Sequence, residues 1–386
     1  MGVLHAALIA SVAVGAVGLA LLIVNLALVP RLSRWSASPA CAPRVSVVIP
    51  ARDEERDIEA AVRSHLAQEY PDFEVVVVDD RSSDGTGAIL ERLARENSRL
   101  RVVHGMEPPA GWLGKPHALA QGAAAARGEL LLFADADVRY GPRALSEAVA
   151  FLEAERLDFL FVVPRVEASG FWESVLMPNL LVTFYGGPAF LISRRRAGWI
   201  AAGGGAGNLV RRSAYEAVGG HAALRDSVID DVRLGYRLKA AGYRIAAVRA
   251  EDRVAVRMYR GFREVFDGFT KNMAYLFQGV SGAVLFALTA ATLIFAILPA
   301  AVLLAALGGA PVPAADVRLA LAGWGLALLF RVTLAAALSE PLWPAFTHPI
   351  MAAVWSGILA RSLYHRFIRR RLTWRGRDFE ARAARF

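Results

Sequence analysis

The fold of this chain is decided by the stretch ELLLFADAD, residues 129–137. Its apolar run Leu130–Phe133 has no polar interruption, which is typical of a short strand buried on both faces of a parallel sheet. The run is followed by Asp135 and Asp137, two carboxylates separated by one residue. Ligands of open α/β sheets collect beyond the carboxyl ends of the strands, where this pair is expected. A divalent cation suits such oxygens, and an ordinary polar turn is the alternative interpretation.

The composition indicates a membrane protein. Of 386 residues, 55% are hydrophobic, and the mean hydropathy is +0.39. The formal net charge is +9, but the arginines cluster beside apolar segments and in the C-terminal tail. A membrane surface explains this distribution better than nucleic acid, for which a basic face interleaved with aromatic residues is expected. Cys41 is the only cysteine, which excludes an intrachain disulfide and a thiolate metal cluster.

The N-terminal segment predicts a transmembrane anchor. Val3–Val29 is apolar apart from isolated polar residues such as His5 and Asn25, and it is long enough to span a bilayer. A cleaved signal peptide is the competing interpretation. It is disfavoured because no positive region precedes the apolar run, which is also too long. Arg31 and Arg34 follow at once and place this end in the cytoplasm.

Apolar segments return near the C-terminus. Residues 280–307 and 317–338 are each long enough to cross, and Arg331 within the second should face protein or a headgroup. Residues 342–364 contain two prolines, a histidine and an arginine, and we expect them to be re-entrant or interfacial. An even number of crossings after the catalytic domain keeps both this domain and the basic tail inside. The sequence therefore predicts three spans of an inner-membrane protein with a cytoplasmic catalytic domain.

Strands and helices alternate between Arg44 and Val256. This rhythm predicts an α/β fold with a mostly parallel sheet, in which right-handed crossovers place the loops after the strands on one rim. Residues 171–196 are apolar and aromatic but contain two prolines, so we expect an interfacial segment here rather than a span. The predicted domains are an anchor at 1–30, a catalytic domain at 44–256, an amphipathic linker at 257–279, a membrane region at 280–364 and a basic tail at 365–386.

Four polar elements lie at successive strand ends or helix starts of the predicted sheet. Each has an ordinary structural explanation by itself, such as a turn, a helix cap or a solvated lysine. Together on one rim they describe a site for a nucleotide diphosphate compound, with a cation beside the diphosphate and one carboxylate free as a general base. The elements are Asp79 with Asp80, Lys115, Asp135 with Asp137, and Asp230 with Asp231.

The order of these elements resembles family 2 glycosyltransferases with the GT-A fold, over residues 44–256. The stretches that carry the resemblance are VSVVIPARDEE (45–55), VDDRSSDGT (78–86), GK (114–115), DAD (135–137) and IDD (229–231). The resemblance implies a nucleotide-diphosphate sugar donor, a UDP-sugar before others, and Mg²⁺ or Mn²⁺ held by Asp135 and Asp137. It makes Asp231 the base of an inverting displacement. Asp230 stands where glutamate is commoner. The implied donor pocket comprises Pro50, Ala51, Glu54, Asp79, Asp80, Lys115, Asp135 and Asp230.

A narrower resemblance is to membrane-bound members that act on polyisoprenoid lipids, including hopanoid-associated and carotenoid (hydroxychlorobactene-type) glycosyltransferases. It is carried by GWLGK (111–115), FWE (171–173), VRRSAYEAVGGH (210–221), RMYR (257–260) and WRGR (374–377). The Gln-x-x-Arg-Trp motif of processive synthases is missing from residues 260–266. The resemblance therefore implies transfer of one sugar to a lipid acceptor. A processive polysaccharide synthase and a non-enzymatic scaffold with a degenerate nucleotide fold are the alternatives. Arg257, Arg260 and Lys271 could contact donor phosphates, a lipid headgroup or the membrane.

Overall fold

The computed structural model describes residues 2–35, 42–194, 200–273, 282–369, 371–374 and 377–380. The chain forms two compact units. The first comprises Met1–Leu28, Ala168–Pro188 and Tyr259–Phe386, and the second comprises Val29–Glu167 and Ala189–Met258. Most of the predicted catalytic domain belongs to the second unit, whereas residues 168–188 group with the apolar helices. Cys41, Arg195, Arg196, the end of the 257–279 linker and the last residues of the tail lie outside the described residues.

The second unit is built on a seven-stranded sheet in the order β3-β2-β1-β4-β8-β6-β9. The strands β1 to β4 pair in parallel with one another, and so do β6 and β9, whereas β8 runs antiparallel to both β4 and β6. The prediction of a mostly parallel sheet is confirmed. Three short strands form a second sheet in the order β5-β10-β7. The strands are β1 Val45–Ala51, β2 Phe73–Asp79, β3 Leu100–His104, β4 Leu130–Phe133, β5 Val138–Tyr140, β6 Phe159–Val163, β7 Arg165–Val166, β8 Asn208–Arg211, β9 Ile245–Arg249 and β10 Val254–Val256.

The central strands are apolar because both of their faces are covered. Val47, Val48 and the run Val75–Val78 are fully buried, as expected for interior strands of a helix-covered sheet. The helices are α1 Val3–Leu28, α2 Ile58–Leu66, α3 Thr86–Glu96, α4 Gly114–Ala125, α5 Ala144–Ala154, α6 Phe171–Leu176, α7 Asn179–Gly186, α8 Arg212–Ala217, α9 Asp230–Ala240, α10 Gly261–Asn272, α11 Gly282–Leu307, α12 Ala314–Leu338 and α13 His348–Tyr364.

The chain after β1 continues as a loop before α2 begins at Ile58. The backbone N–H of Glu54 donates to Thr86 Oγ1 at 2.8 Å, and the N–H of Glu55 donates to Asp84 Oδ2 at 3.1 Å. These bonds hold the chain after β1 against the loop after β2 and keep residues 54–57 out of the helix.

The first unit contains long apolar helices. By length and composition, α1 and α12 could each cross a membrane. They run parallel, since His5 Nδ1 near the start of α1 lies 2.6 Å from Asp316 Oδ1 near the start of α12. The helix α11 runs antiparallel to α1, because Leu8 packs with Val302 whereas the Ser11 hydroxyl donates to the Phe295 carbonyl at 3.0 Å. These three helices coincide with the three predicted spans.

Arg331 faces protein, as the sequence predicted. It is 3% exposed and donates to the Pro344 carbonyl at 3.1 Å and to the sulfur of Met351. These partners come from the chain after α12, where a 3₁₀ turn (Trp343–Thr347) leads into α13. The segment after α12 thus turns back along the last turns of that helix.

Candidate active site

Four charged side chains from distant parts of the second unit line one cavity. Lys115 is the second residue of α4, Asp135 follows β4, and Asp230 and Asp231 open α9. The Lys115 ammonium lies 2.6 Å from Asp135 Oδ1. The structure therefore brings together three of the four polar elements predicted at the rim. Other lining residues include Leu119, Phe133, Gly204, Gly205, Asn208 and His221.

Lys115 is the cation at the centre of this arrangement. Burial disfavours its charge, but Asp135, Asp230 and Asp231 outweigh that effect and raise the pKa of Lys115 well above its usual value. The lysine therefore remains protonated under working conditions. A permanent positive charge beside three carboxylates both stabilises those acids and attracts an anionic ligand such as a diphosphate.

Asp231 has the protonation behaviour of a general base. Burial raises the pKa of this carboxyl to about 6, and repulsion from Asp230 and Asp135 adds to burial against the opposing effect of Lys115. Its Oδ1 accepts the backbone N–H of Val232 at 2.8 Å, which fixes the carboxylate at the start of α9. A carboxylate with a pKa of about 6 is ionised at neutral pH and is a stronger base than an ordinary aspartate.

Asp137 differs from the other three acids because it is not among the residues that line this cavity. Burial, with repulsion from Asp135 and Glu54, raises its pKa to about 7. Its Oδ1 is buried and has no hydrogen-bond partner among the described residues. Asp137 is thus linked to the cavity through Asp135, with which it interacts directly.

A divalent cation fits the Asp135–Asp137 pair. An orphaned buried carboxylate oxygen beside a second carboxylate needs a positive partner, and Mg²⁺ or Mn²⁺ is commonly held by one or two carboxylates together with substrate phosphates. Among the described residues there is no preformed cluster of three or more acidic, histidine or cysteine side chains that could hold a metal ion. The remaining ligands of a cation here would therefore come from a phosphate-bearing substrate and water.

The residues predicted for the nucleotide pocket lie at two adjacent strand ends. Ala51 pairs with Asp79 in the sheet, and the backbone N–H of Asp80 donates to the Ala51 carbonyl at 2.8 Å. Asp80 is buried, with Arg52 at 3.6 Å and Arg81 at 3.5 Å from its oxygens. Pro50 and Glu54 lie on the β1 side of the same rim.

Two of the aspartates after β2 also hold the loop together. Asp79 Oδ1 accepts the N–H of Ser82 at 3.0 Å. Asp84 accepts the N–H groups of Thr86 and Glu55 at 3.0 and 3.1 Å, so the capping explanation holds for Asp84. These bonds leave the loop after β2 fixed beside the loop after β1.

The sequence analysis missed the structural importance of the glycine-rich stretch at residues 203–207. A Cβ placed on Gly205 would lie 1.9 Å from Asp135 Oδ2, so only glycine allows this close approach. The Gly205 carbonyl accepts the N–H of Asp135 at 2.7 Å. Asn208 accepts the N–H of Gly204 at 3.1 Å and donates to the Asp231 carbonyl at 3.2 Å. The signal was the run of glycines directly before a strand, which often marks a close backbone approach.

Comparison with known proteins matches the part of the chain that supplies Lys115 and Asp135 to this site. The family model described as "Glycosyl transferase family 2" matches residues 46–219. A beta-monoglucosyldiacylglycerol synthase of Trichormus variabilis is 30% identical over 200 residues, which cover 51% of this chain and 41% of the relative. A 4,4'-diaponeurosporenoate glycosyltransferase of Staphylococcus aureus is 28% identical over 254 residues, covering 64% of this chain and 65% of the relative. This chain therefore spans less than two thirds of each relative.

A solved structure shares the fold. The mannosyltransferase PcManGT from Pyrobaculum calidifontis, solved in complex with GDP-Man and Mn²⁺, aligns with a TM-score of 0.57 and 23% identity. The alignment covers 94% of this chain and 98% of that chain. The central sheet is thus that of a GT-A fold, and residues 46–219 match the model of glycosyl transferase family 2.

Proposed function

We propose that this protein is a membrane-bound inverting glycosyltransferase that moves one sugar from a nucleotide-diphosphate sugar to a lipid hydroxyl. The observation that carries the proposal is the convergence of Lys115, Asp135, Asp230 and Asp231 on one cavity of a family 2 domain. These residues supply a cation, a metal-binding carboxylate and a base with a pKa of about 6. A non-enzymatic scaffold would gain nothing from this combination of buried charges.

Asp231 is the proposed base. Its carboxylate takes the proton of the acceptor hydroxyl while the hydroxyl oxygen forms a bond to the anomeric carbon of the sugar. The bond from that carbon to the diphosphate oxygen breaks on the opposite face, so the configuration inverts. Asn208 and the N–H of Val232 hold Asp231 from two sides. The base is therefore fixed before the acceptor arrives, which removes part of the entropic cost of the reaction.

The donor is held at the other side of the rim. Pro50, Ala51, Glu54, Asp79 and Asp80 are proposed to bind the nucleoside, and a UDP-sugar is the donor that we infer. Lys115 is placed to pair with the diphosphate. A Mg²⁺ or Mn²⁺ ion held by Asp135 and Asp137 would neutralise the negative charge of the departing diphosphate.

The lipid acceptor is supported by the composition of the first unit and by the names of the relatives. One is named for glucosyldiacylglycerol and the other for diaponeurosporenoate. In the first unit, Phe171 and Trp343 stack at 5.6 Å although they are 52% and 44% exposed. Exposed aromatic rings next to long apolar helices are typical of a membrane–water interface. We propose that this aromatic pair lies at the headgroup level, where an apolar acceptor presents its hydroxyl.

The topology that we propose is multi-pass. The helices α1, α11 and α12 span the inner membrane, the second unit is cytoplasmic, and α6 and α7 lie at the interface. Asn25, near the end of α1, donates to the carbonyls of Tyr185 and Gly187 at 2.7 Å, which ties the end of α7 to the end of that helix.

The test uses the full-length protein in membranes with a panel of labelled nucleotide sugars, with Mg²⁺, Mn²⁺ or a chelator. We expect one modified lipid, identified by mass spectrometry, whose formation requires the metal. Asp231→Asn should abolish transfer but retain donor binding. Asp226→Asn is the matched control, since this aspartate is 57% exposed and lies outside the cavity. Products longer than one sugar would establish a processive synthase instead, and absence of any metal-dependent turnover would overturn the proposal.

A further inference from the structure

We propose that His221 is a positioning residue that holds the carboxylate of Asp230 in place through the Nε2–H of its imidazole. The inference rests on the proposed function, because it assigns a role to a residue that lines the same cavity. Tyr215 contacts His221, and His221 faces Asp230, one of the acids already described.

The contacts place the imidazole between the other two groups. His221 is 1% exposed and Asp230 is 2% exposed. His221 Nε2 lies 3.6 Å from Asp230 Oδ2, and His221 Nδ1 lies 2.9 Å from the Tyr215 hydroxyl oxygen. The ring of Phe133 meets the imidazole edge-on at a centroid distance of 4.7 Å. Each imidazole nitrogen therefore has one polar neighbour, and the apolar ring of Phe133 packs against the imidazole.

The hydrogen bonds favour a proton on Nε2. The Tyr215 hydroxyl oxygen accepts the backbone N–H of His221 at 3.0 Å. Its single hydrogen is then free to be donated to Nδ1 of the same histidine. Burial raises the pKa of Tyr215 to about 12, so the hydroxyl keeps this hydrogen at working pH. With Nδ1 as the acceptor, the ring proton lies on Nε2, the nitrogen nearer to Asp230.

The local sequence is suited to this arrangement. Gly219 and Gly220 both have positive φ values, of 82° and 50°. A Cβ on Gly220 would lie 2.7 Å from the ring of Tyr215. The glycine pair therefore lets the chain turn tightly so that His221 comes back onto the tyrosine hydroxyl, six residues earlier in the sequence.

Asp230 needs such a partner. Its Oδ2 is buried and has no hydrogen-bond partner within 3.5 Å among the described residues, so the Nε2–H at 3.6 Å is the donor nearest to making that bond. Burial alone would raise the pKa of Asp230, but Lys115 and His221 outweigh burial and lower it. Asp230 is therefore an ionised acceptor, available to the hydroxyl groups of the donor sugar. Without His221, we expect its carboxylate to turn towards Lys115 and to compete with Asp135 for the ammonium.

The test compares replacements that keep or remove the Nε2–H. A glutamine side chain can present an N–H close to the position of Nε2, whereas asparagine is too short and alanine has no donor. We expect His221→Ala and His221→Asn to lower kcat/KM for the donor by about 10–100-fold, the range found for partners that orient ligand-binding side chains. Most of this loss should appear in KM. His221→Gln should recover at least half of the loss on a logarithmic scale, and Tyr215→Phe should lie between the two groups.

His65 provides the matched control. It is a fully buried histidine of the same unit, and neither ring nitrogen has a hydrogen-bond partner among the described residues. His65→Gln should leave KM for the donor unchanged. Equal losses in His221→Gln and His221→Ala would overturn the inference, because the Nε2–H would then have no role. An unchanged KM in His221→Ala would overturn it as well.

A second measurement does not depend on turnover. Nitrogen-15 NMR of ring-labelled histidine, with the His221 signal assigned by its loss in His221→Gln, should show the ring proton of His221 on Nε2. A protonated Nδ1 would contradict the tautomer. The wild type could show this tautomer and bind nucleotide sugars in calorimetry but transfer no sugar. The proposed reaction would then fail. Donor affinity in the same variants would still test whether His221 positions Asp230.

Discussion

The pH dependence of transfer tests the assignment of Asp231 most directly. With a pKa of about 6, the carboxyl is ionised in roughly ten elevenths of molecules at pH 7 and in roughly one eleventh at pH 5, by the titration of a single group. If Asp231 is the base, kcat/KM should fall about tenfold over this interval, and the slope of the logarithmic plot should approach one below about pH 5. If Asp137 binds the proposed cation, saturating Mg²⁺ keeps this carboxyl ionised, so that its raised pKa does not cause a second fall in activity.

Lys115→Met should shift the acidic limb of the pH profile, which is the fall of kcat/KM towards low pH. Lys115 lowers the pKa of Asp231 and lies 2.6 Å from Asp135, so its removal leaves Asp135, Asp230 and Asp231 without their shared cation. Loss of a nearby opposite charge changes a carboxyl pKa by about 1–3 units. The pH at which kcat/KM of the variant falls to half of its own plateau value should therefore move to pH 7 or above.

Initial rates between pH 5 and 9 provide the assay. Lys115→Arg keeps the positive charge and should leave the limb within about half a unit of the wild type. A wild-type limb near pH 4 would exclude Asp231 as the titrating base. A Lys115→Met profile that overlies the wild type would show that the lysine does not control the carboxyl.

Three further predictions concern residues in or next to the cavity. Asp137→Asn should raise the melting temperature by a few degrees in metal-free buffer at pH 8, and less at pH 5. A carboxyl with a raised pKa makes the folded state less stable as pH rises from about 4 to 7, whereas the amide of asparagine does not titrate. In the same thermal scans, Mg²⁺ with a nucleoside diphosphate should stabilise only the wild type. Gly205→Ala should lower kcat at least 100-fold because its methyl group would overlap Asp135, whereas Gly325→Ala, with nothing within 4 Å, should not. Asn208→Ala should lower kcat about tenfold and destabilise the fold by about 1–3 kcal/mol, measured by urea unfolding, since it leaves the N–H of Gly204 unpaired.

The core of the sheet could be predicted because its signal is local. The Leu130–Phe133 strand has the predicted bounds, and the strand centred on Val75–Val78 is only extended at its ends. The antiparallel strand Asn208–Arg211 was not assigned as a strand. It has four residues and follows a glycine-rich stretch, and its direction depends on its neighbours Leu130–Phe133 and Phe159–Val163. A sequence window contains no information about those neighbours.

The site could be predicted only for residues whose position follows from topology. Asp79, Asp135 and Lys115 lie at strand ends or a helix start, so a parallel sheet places them on one rim. Gly205 and His221 contribute through contacts with residues far away in the chain or around a tight turn. The residues next to them in the sequence do not indicate that Gly205 lies against Asp135 or that His221 lies beside Asp230. The glycine run and the Gly-Gly-His sequence were visible, but their chemistry appears only in three dimensions.

The first unit gives a separate argument for the proposed topology. The distribution of arginines led to three spans, with the ends at Leu28 and Leu338 on the same side of the membrane. The helix directions lead to the same arrangement without any reference to charge. Because α1 and α12 are parallel and α11 is antiparallel to α1, both apolar helices that precede the basic segments end on one side. The packing of the helices therefore agrees with the charge pattern: both put the ends of α1 and α12, at Leu28 and Leu338, on one side of the helix bundle. In the topology that we propose, this is the cytoplasmic side, where nucleotide sugars are available.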